Sequence, residues 1–129
     1  MNVPGDLKYT ENDEWVRVDG EKGTVGITDF AQNQLSDIVY VEMVVAVGEE
    51  ISQGDTIATL ESVKAAADVY APVGGKVEAI NEELPDTPEM VNSDPYGAAW
   101  LVQLKLADLS ELDELLDSNS YQQKIETQE

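Results

Sequence analysis

The β-branched residues of this chain come in short runs closed by glycine turns, and that parcelling constrains the fold more than any other feature. Glu14–Val18 and Gly23–Ile27 are two such runs, and the "DGEKG" between them is a hairpin-type turn signal. "DIVYVEMVVAV" is the most strongly β-branched run and stops at Gly48. "KVEAI" and "WLVQLKL" follow as further strands. In the last of these, Leu101, Gln103 and Lys105 alternate with Val102, Leu104 and Leu106, as in a half-buried strand. No apolar run approaches the roughly 20 residues of a membrane span. A chain of 129 residues is too small to divide between two stable cores, so residues 1–129 are expected to form one domain.

Two places carry the helical period instead. "TDFAQNQL" is a short helix that Thr28 or Asp29 can cap, with Phe30, Ala31 and Leu35 on one side. After Ala107 the period changes for good: Leu109, Leu112, Leu115 and Leu116 fall at helical spacing, with Ser110 able to cap. Tyr121 and Ile125 continue the stripe beyond "DSNS", a break between two helices at about 108–128. Packing against the sheet is the expected role of this stripe. "ELPDTPEMVNSDPYGA" is a long ordered loop that Met90, Val91 and Tyr96 can anchor.

One lysine stands apart. "ESVKAAADVYAP" holds Lys64, and no other Lys or Arg occurs between Lys22 and Lys76. Leu60, Val63, Ala66 or Ala67, and Tyr70 fall at helical spacing in this stretch, and alanine is the best helix former. Gly54-Asp55, Pro72 and Gly74-Gly75 bound it, and its flanks are β-branched and aromatic. The pattern leaves hairpin and helix equal. "VGEEISQGDTI" before it and "APVGGKVEAIN" after it share a glycine turn and a short β segment. That weak similarity suits two sheets folding onto each other with Lys64 near the pivot.

Charge and composition exclude most chemistry. The chain has 7 basic and 27 acidic residues, a formal net charge of −20. That field repels nucleic acid and anionic membranes and favours basic partner surfaces. The charge is spread along the chain: residues 107–129 hold seven acids against Lys124, and no acidic tail stands apart. The N-terminal "MNVPGDLKY" has no cationic segment followed by an apolar one, so no export or transit signal is read and a cytoplasmic protein is expected. With no cysteine and no histidine, the chain has no disulfide and no Ser-His or Cys-His nucleophile. A zinc site of carboxylates alone, a calcium loop and a phosphate loop all lack their residue patterns. Paired carboxylates are plentiful, but at this charge they read as solvated surface rather than as a dyad.

Lys64 is also a poor Schiff-base lysine. That role needs a depressed pKa, and the surrounding negative field stabilises the ammonium. An amine acylated by a partner enzyme needs only exposure, slim neighbours and no competing lysine. Acylation would take the net charge of −20 one unit further negative. The competing reading is an ordinary surface lysine.

The flanks carry a resemblance. "VGEEISQGDTIATLESVKAAADVYAPVGGKV" resembles biotinyl/lipoyl attachment domains: Val-Gly, Gly-Asp, Glu-Ser-x-Lys, then Ala-Pro-x-x-Gly-x-Val. Biotin carriers place methionine on both sides of the lysine, whereas Val63 and Ala65 stand here. "ESVKAAADVYAP" resembles the H proteins of the glycine cleavage system, as do "LKYTENDEWV", "VGITDFAQNQLSDIVYVEM", "VNSDPYGAAWLVQLKL" and "SELDELLDSNSY". These cover nearly the whole chain in family order. The chain departs from the family where Asp13 and Phe30 replace the usual histidines, and where Val44-Val45 replaces Leu-Pro.

The resemblance implies a flattened β-sandwich or barrel of the lipoyl-domain (barrel-sandwich hybrid) type, with a short internal helix, C-terminal helices, and Lys64 on a hairpin. It implies lipoate on Lys64, with Glu61, Ser62, Val63 and Ala65 as the flank read by a lipoate ligase or octanoyltransferase. A pyridoxal-phosphate glycine decarboxylase (P protein) would load an aminomethyl group. A tetrahydrofolate-dependent aminomethyltransferase (T protein) would remove its carbon, and dihydrolipoamide dehydrogenase (L protein) would reoxidise the dithiol. The chain itself would be a carrier, not an enzyme. Asn12, Glu14 and Asp68 match positions of a cleft that shelters the loaded arm, with solvated carboxylates as the competing reading of Glu14 and Asp68. Two rival functions remain open: a lipoyl relay that donates to other proteins, and an acidic adaptor never modified at all.

Overall fold

The structure is a computed structural model that describes residues 2–128. β1 (Lys8–Tyr9), β2 (Glu14–Asp19), β3 (Lys22–Ile27), β9 (Val102–Leu106), β8 (Gly75–Ile80) and β5 (Glu50–Ile51) form one antiparallel sheet in that order. β4 (Ile38–Met43), β6 (Thr56–Ser62) and β7 (Ala66–Tyr70) form a second. α1 (Asp29–Leu35) links the sheets, α2 (Met90–Ser93) lies in the long loop, and a 3-10 helix (Leu109–Glu114) and α3 (Ser118–Gln128) end the chain. This is the mainly β sandwich that the resemblance implied.

Each element follows from local chemistry. "DGEKG" closes the β2–β3 hairpin, with Asp19 opposite Lys22 and Gly20 at a φ of 63°. Thr28 caps α1, its Oγ1 accepting from Ala31 N at 3.1 Å. Along β9, Val102, Leu104 and Leu106 are buried while Lys105 is exposed.

Two cores result. Val16, Val25, Val102 and Leu104 of the larger sheet meet Val41, Ile57, Leu60 and Val69 of the smaller one. Trp15 is fully buried beside Val16, and neighbours on a strand point to opposite faces. The other face of β2 therefore has its own cover, an aromatic cluster of Tyr9, Trp15, Phe30, Tyr96 and Tyr121 with Leu7 and Ile125. Tyr9 and Tyr121 stack at 4.6 Å. Phe30, one of the departures from the resemblance noted in the sequence, is buried here.

The smaller sheet grows out of one long hairpin. Glu61 pairs with Ala66, and Glu50 pairs with Lys76, so both pairings are centred on Val63–Lys64. Between them Gly54 N donates to Ala71 O at 2.8 Å, and Ala71 N donates to Asp55 O at 2.8 Å. The two glycine-containing segments flank this hairpin, one in each arm, as their weak similarity suggested.

Several expectations are corrected. The β run from Asp37 ends as a strand at Met43. Beyond it the chain leaves for the other sheet, with Val45 in the core and Val44 and Val47 exposed. Ser110 does not cap: Asp108 does, its Oδ1 accepting from Ser110 N at 2.9 Å. The segment after it is a 3-10 helix, with Leu109 half exposed and Leu112 and Leu115 packed on the main core. The break between the helices falls before "DSNS" is complete, because Asp117 accepts from Ser120 N and opens α3. The loop holds a helix of its own at Met90–Ser93, with Val91 and Tyr96 buried.

Candidate functional site

Lys64 sits at the fold of the long hairpin, between β6 and β7, and is exposed. The tie between helix and hairpin resolves to hairpin. Local propensity favours helix, but Glu61, Leu60, Thr59 and Ala58 all find partners on β7, and that cooperative pairing wins. Ser62 shapes the turn. Its Oγ accepts from Lys64 N at 3.1 Å and Ala65 N at 2.9 Å, and its N donates to Ala65 O at 2.8 Å. Two amides that would otherwise lack partners at the turn are thereby satisfied.

The tip leans on the start of the smaller sheet. Val63 N donates to Asp37 O at 3.0 Å, and Lys64 Nζ donates to the Gln34 carbonyl at 3.3 Å, in the last turn of α1. The end of a helix is where a cation is favoured. Lys64 has no carboxylate within ion-pair distance; among the described residues the ion pair found is Lys124–Asp13 at 3.9 Å. Glu61, Val63, Ala65 and Ala66 are exposed around the lysine, so its sides are slim and open.

A cavity of about 270 Å³ lies where β7 ends, lined by Asn12, Glu14, Gln53, Tyr70 and Glu114 among others. Asn12 and Glu14 are thus together. Asp68 is not in its lining: it sits on the exposed face of β7, accepting from Thr59 Oγ1 at 3.2 Å. Ala66, Asp68 and Tyr70 follow one another on one face of β7, and mark a track of roughly 20 Å from the lysine to the cavity.

Glu14 is not a solvated carboxylate. It is 2% exposed, with Oε1 accepting from Thr10 Oγ1 at 2.6 Å and Oε2 from Tyr70 N at 3.0 Å. Burial pushes its pKa up to about 7, against the two hydrogen bonds that pull it down. Its neighbour Asp13 adopts a φ of 69° and accepts from Tyr121 Oη at 2.9 Å; burial raises its pKa as well. Tyr121 Oη also lies 2.6 Å from Thr28 Oγ1. Through Tyr121, Asp13 therefore joins the start of β2 to the cap of α1 and to α3. Tyr121 and Tyr70 were not singled out by sequence as site residues, because their partners lie far away along the chain; Thr10 lies four residues from Glu14, but nothing in the strand pattern marks that contact.

Two sheets that share one hairpin with a lysine at its fold define the class: a barrel-sandwich domain of the lipoyl type. Comparison narrows this to a family. The family described as "Glycine cleavage H-protein" matches residues 7–128. A glycine cleavage system H protein of Idiomarina loihiensis is 54% identical over 126 residues, covering 97% of each chain. One from Carboxydothermus hydrogenoformans is 52% identical over 124 residues, covering 96% of this chain and 95% of its own. The crystal structure of a glycine cleavage system H protein from Mycobacterium marinum superposes with a TM-score of 0.81 at 32% identity, covering 94% of this chain and 97% of its own. The chain belongs to the glycine cleavage H-protein family.

Proposed function

We propose that the chain is the lipoyl carrier of a glycine cleavage system, with lipoate held in amide linkage on Lys64 Nζ. The observation that carries this reading is the lysine itself: exposed, with no carboxylate in ion-pair contact among the described residues, and presented at the fold of a hydrogen-bonded hairpin in a chain of this family. The residues present fit such a group. Ser62 holds the turn, and Ala65 and Ala66 leave the amine open on its flanks.

Attachment follows from the chemistry of the amine. The Lys64 ammonium loses a proton, and Nζ attacks the carbonyl of an acyl adenylate supplied by a partner ligase from lipoate and ATP. The amide C–N bond forms, the acyl–phosphate bond breaks, AMP leaves, and a second proton is released. When bound, lipoate supplies a disulfide that accepts an aminomethyl group and is afterwards reoxidised from its dithiol. The chain's own residues position and shelter. The hairpin fixes the point of attachment, the exposed face of β7 leads toward the cavity, and Asn12 and Glu14 line the recess that would shelter the arm. Asp68 stands along that track.

On this reading the partners are the P protein, the T protein and the L protein, the carrier being a substrate of each, in the cytoplasm. Among the described residues no helix is long and apolar enough to cross a membrane.

Intact mass after expression with active lipoylation tests the attachment. A lipoyl adduct is expected on the native chain and none on Lys64→Arg; an unmodified native chain would overturn the reading. Glycine–bicarbonate exchange with purified P protein separates a glycine cleavage carrier, which supports it, from a lipoyl relay, which does not.

A further inference from the structure

Three large apolar side chains stay exposed beside the lysine: Val39 at 54%, Tyr40 at 44% and Val63 at 70%. Two of them are exposed because of a backbone irregularity. Ile38 pairs with Ser62 and Tyr40 with Glu61, so the register of β4 shifts across Val39. A regular strand would send only one of Val39 and Tyr40 outward. The bulge sends both out and still returns Val41 to the core at 1% exposure. Val63 is fastened to the same place by its bond to Asp37 O at 3.0 Å. The lysine thus has an apolar collar on its β4 side.

The surroundings of the collar are acidic. Glu42 and Glu61 are exposed on β4 and β6, and Asp68 on β7. β4, β6 and β7 contain no Lys or Arg at all.

We propose that Val39, Tyr40 and Val63 form the docking collar for the enzyme that acylates Lys64, and that this enzyme meets it with an apolar recess rimmed by basic side chains. The proposal rests on Lys64 being the attachment site. An enzyme that brings an acyl carbonyl to Nζ must cover the surface around it. Covering these three side chains gains hydrophobic burial, and the carboxylate rim selects a basic partner. A second copy of this chain fits poorly, because a two-fold contact would set the same carboxylates against each other.

The test uses the full chain, lipoate, ATP and a purified lipoate–protein ligase, with adduct formation followed by intact mass. The Val39→Ser/Tyr40→Ser variant is expected to raise KM about tenfold or more with kcat changed less than about twofold, as loss of a docking contact does. Tyr40→Phe keeps the ring and is expected to retain the native KM. Val47→Ser removes an exposed valine from a turn outside the smaller sheet and is expected to change nothing. Glu42→Lys is an independent variant, expected to raise KM by like-charge repulsion. A native KM in both Val39→Ser/Tyr40→Ser and Glu42→Lys, with Lys64 still modified, would overturn the collar alone. A native chain that gains no adduct would overturn the Lys64 reading and the collar with it. Sedimentation that shows a dimer lost in Val39→Ser/Tyr40→Ser would assign the surface to a second copy and also overturn the proposal.

Discussion

Burial holds the Glu14 carboxyl protonated well into the range where carboxylates are ordinarily ionised. In the folded chain it keeps its proton up to about pH 7, while the unfolded chain releases it near 4.5. Between those values the folded state binds more protons, so stability falls as pH rises and the loss is complete above the folded pKa. Gln at this position does not titrate, but its single oxygen can accept from Tyr70 N or from the Thr10 hydroxyl and not from both, because Thr10 Oγ1 already accepts from Asn12 N and from the residue-14 amide. Urea unfolding at a series of pH values should therefore show a shallower decline with pH for Glu14→Gln than for the native chain. Tyr121→Phe should cost about 1–3 kcal/mol in the same assay, because the buried Thr28 and the partly buried Asp13 lose their shared partner. Ser62→Ala should change global stability by less than about 1 kcal/mol, its turn being exposed, yet slow acylation of Lys64 by loosening the tip. At this scale the sequence reveals Lys64 through its isolation among acids. It does not reveal Glu14: a carboxylate in a chain of net charge −20 looks solvated, and only contact with Thr10 and Tyr70, the latter 56 residues away, shows otherwise.

Among the elements, the hairpin under Lys64 depends on one close approach. A Cβ built on Gly75 would come within 2.4 Å of the Lys105 carbonyl oxygen on β9. That oxygen belongs to backbone and cannot turn aside, so Gly75→Ala should open the β8–β9 pairing at a cost of about 2 kcal/mol, measurable as a lower urea midpoint. Strands with strict alternation, such as β9, were legible because one face meets the core. The bulge in β4 was not: Ile38–Val41 is uniformly apolar or aromatic, and such a run gives no sign of where the register slips. The exit of Val44–Val47 from the sheet was hidden for the same reason. The 3-10 helix hid behind leucines whose spacing suits either helical form.

For the molecule as a whole, the negative field is the dominant long-range property. Partner association should slow as salt rises, since the Debye length shortens from about 10 Å at 0.1 M to about 3 Å at 1 M. Stopped-flow association rates with a purified partner enzyme check this, and a rate independent of salt would be inconsistent with steering. The main core was broadly legible, because its β-branched residues cluster in runs. The aromatic cluster was not. Tyr9, Trp15, Phe30, Tyr96 and Tyr121 come from distant segments, and nothing local records that the chain leading into α3 returns to β1, where Tyr9 N donates to Leu116 O at 2.8 Å. The hairpin shared by both sheets has a mechanical consequence. The backbone beneath Lys64 is a post braced at two levels, by the Glu61–Ala66 and Glu50–Lys76 pairings. Whatever Lys64 carries therefore moves within a volume centred on a point set by the body of the protein and bounded by the length of the tether, and successive enzymes must each bring their own site within that reach.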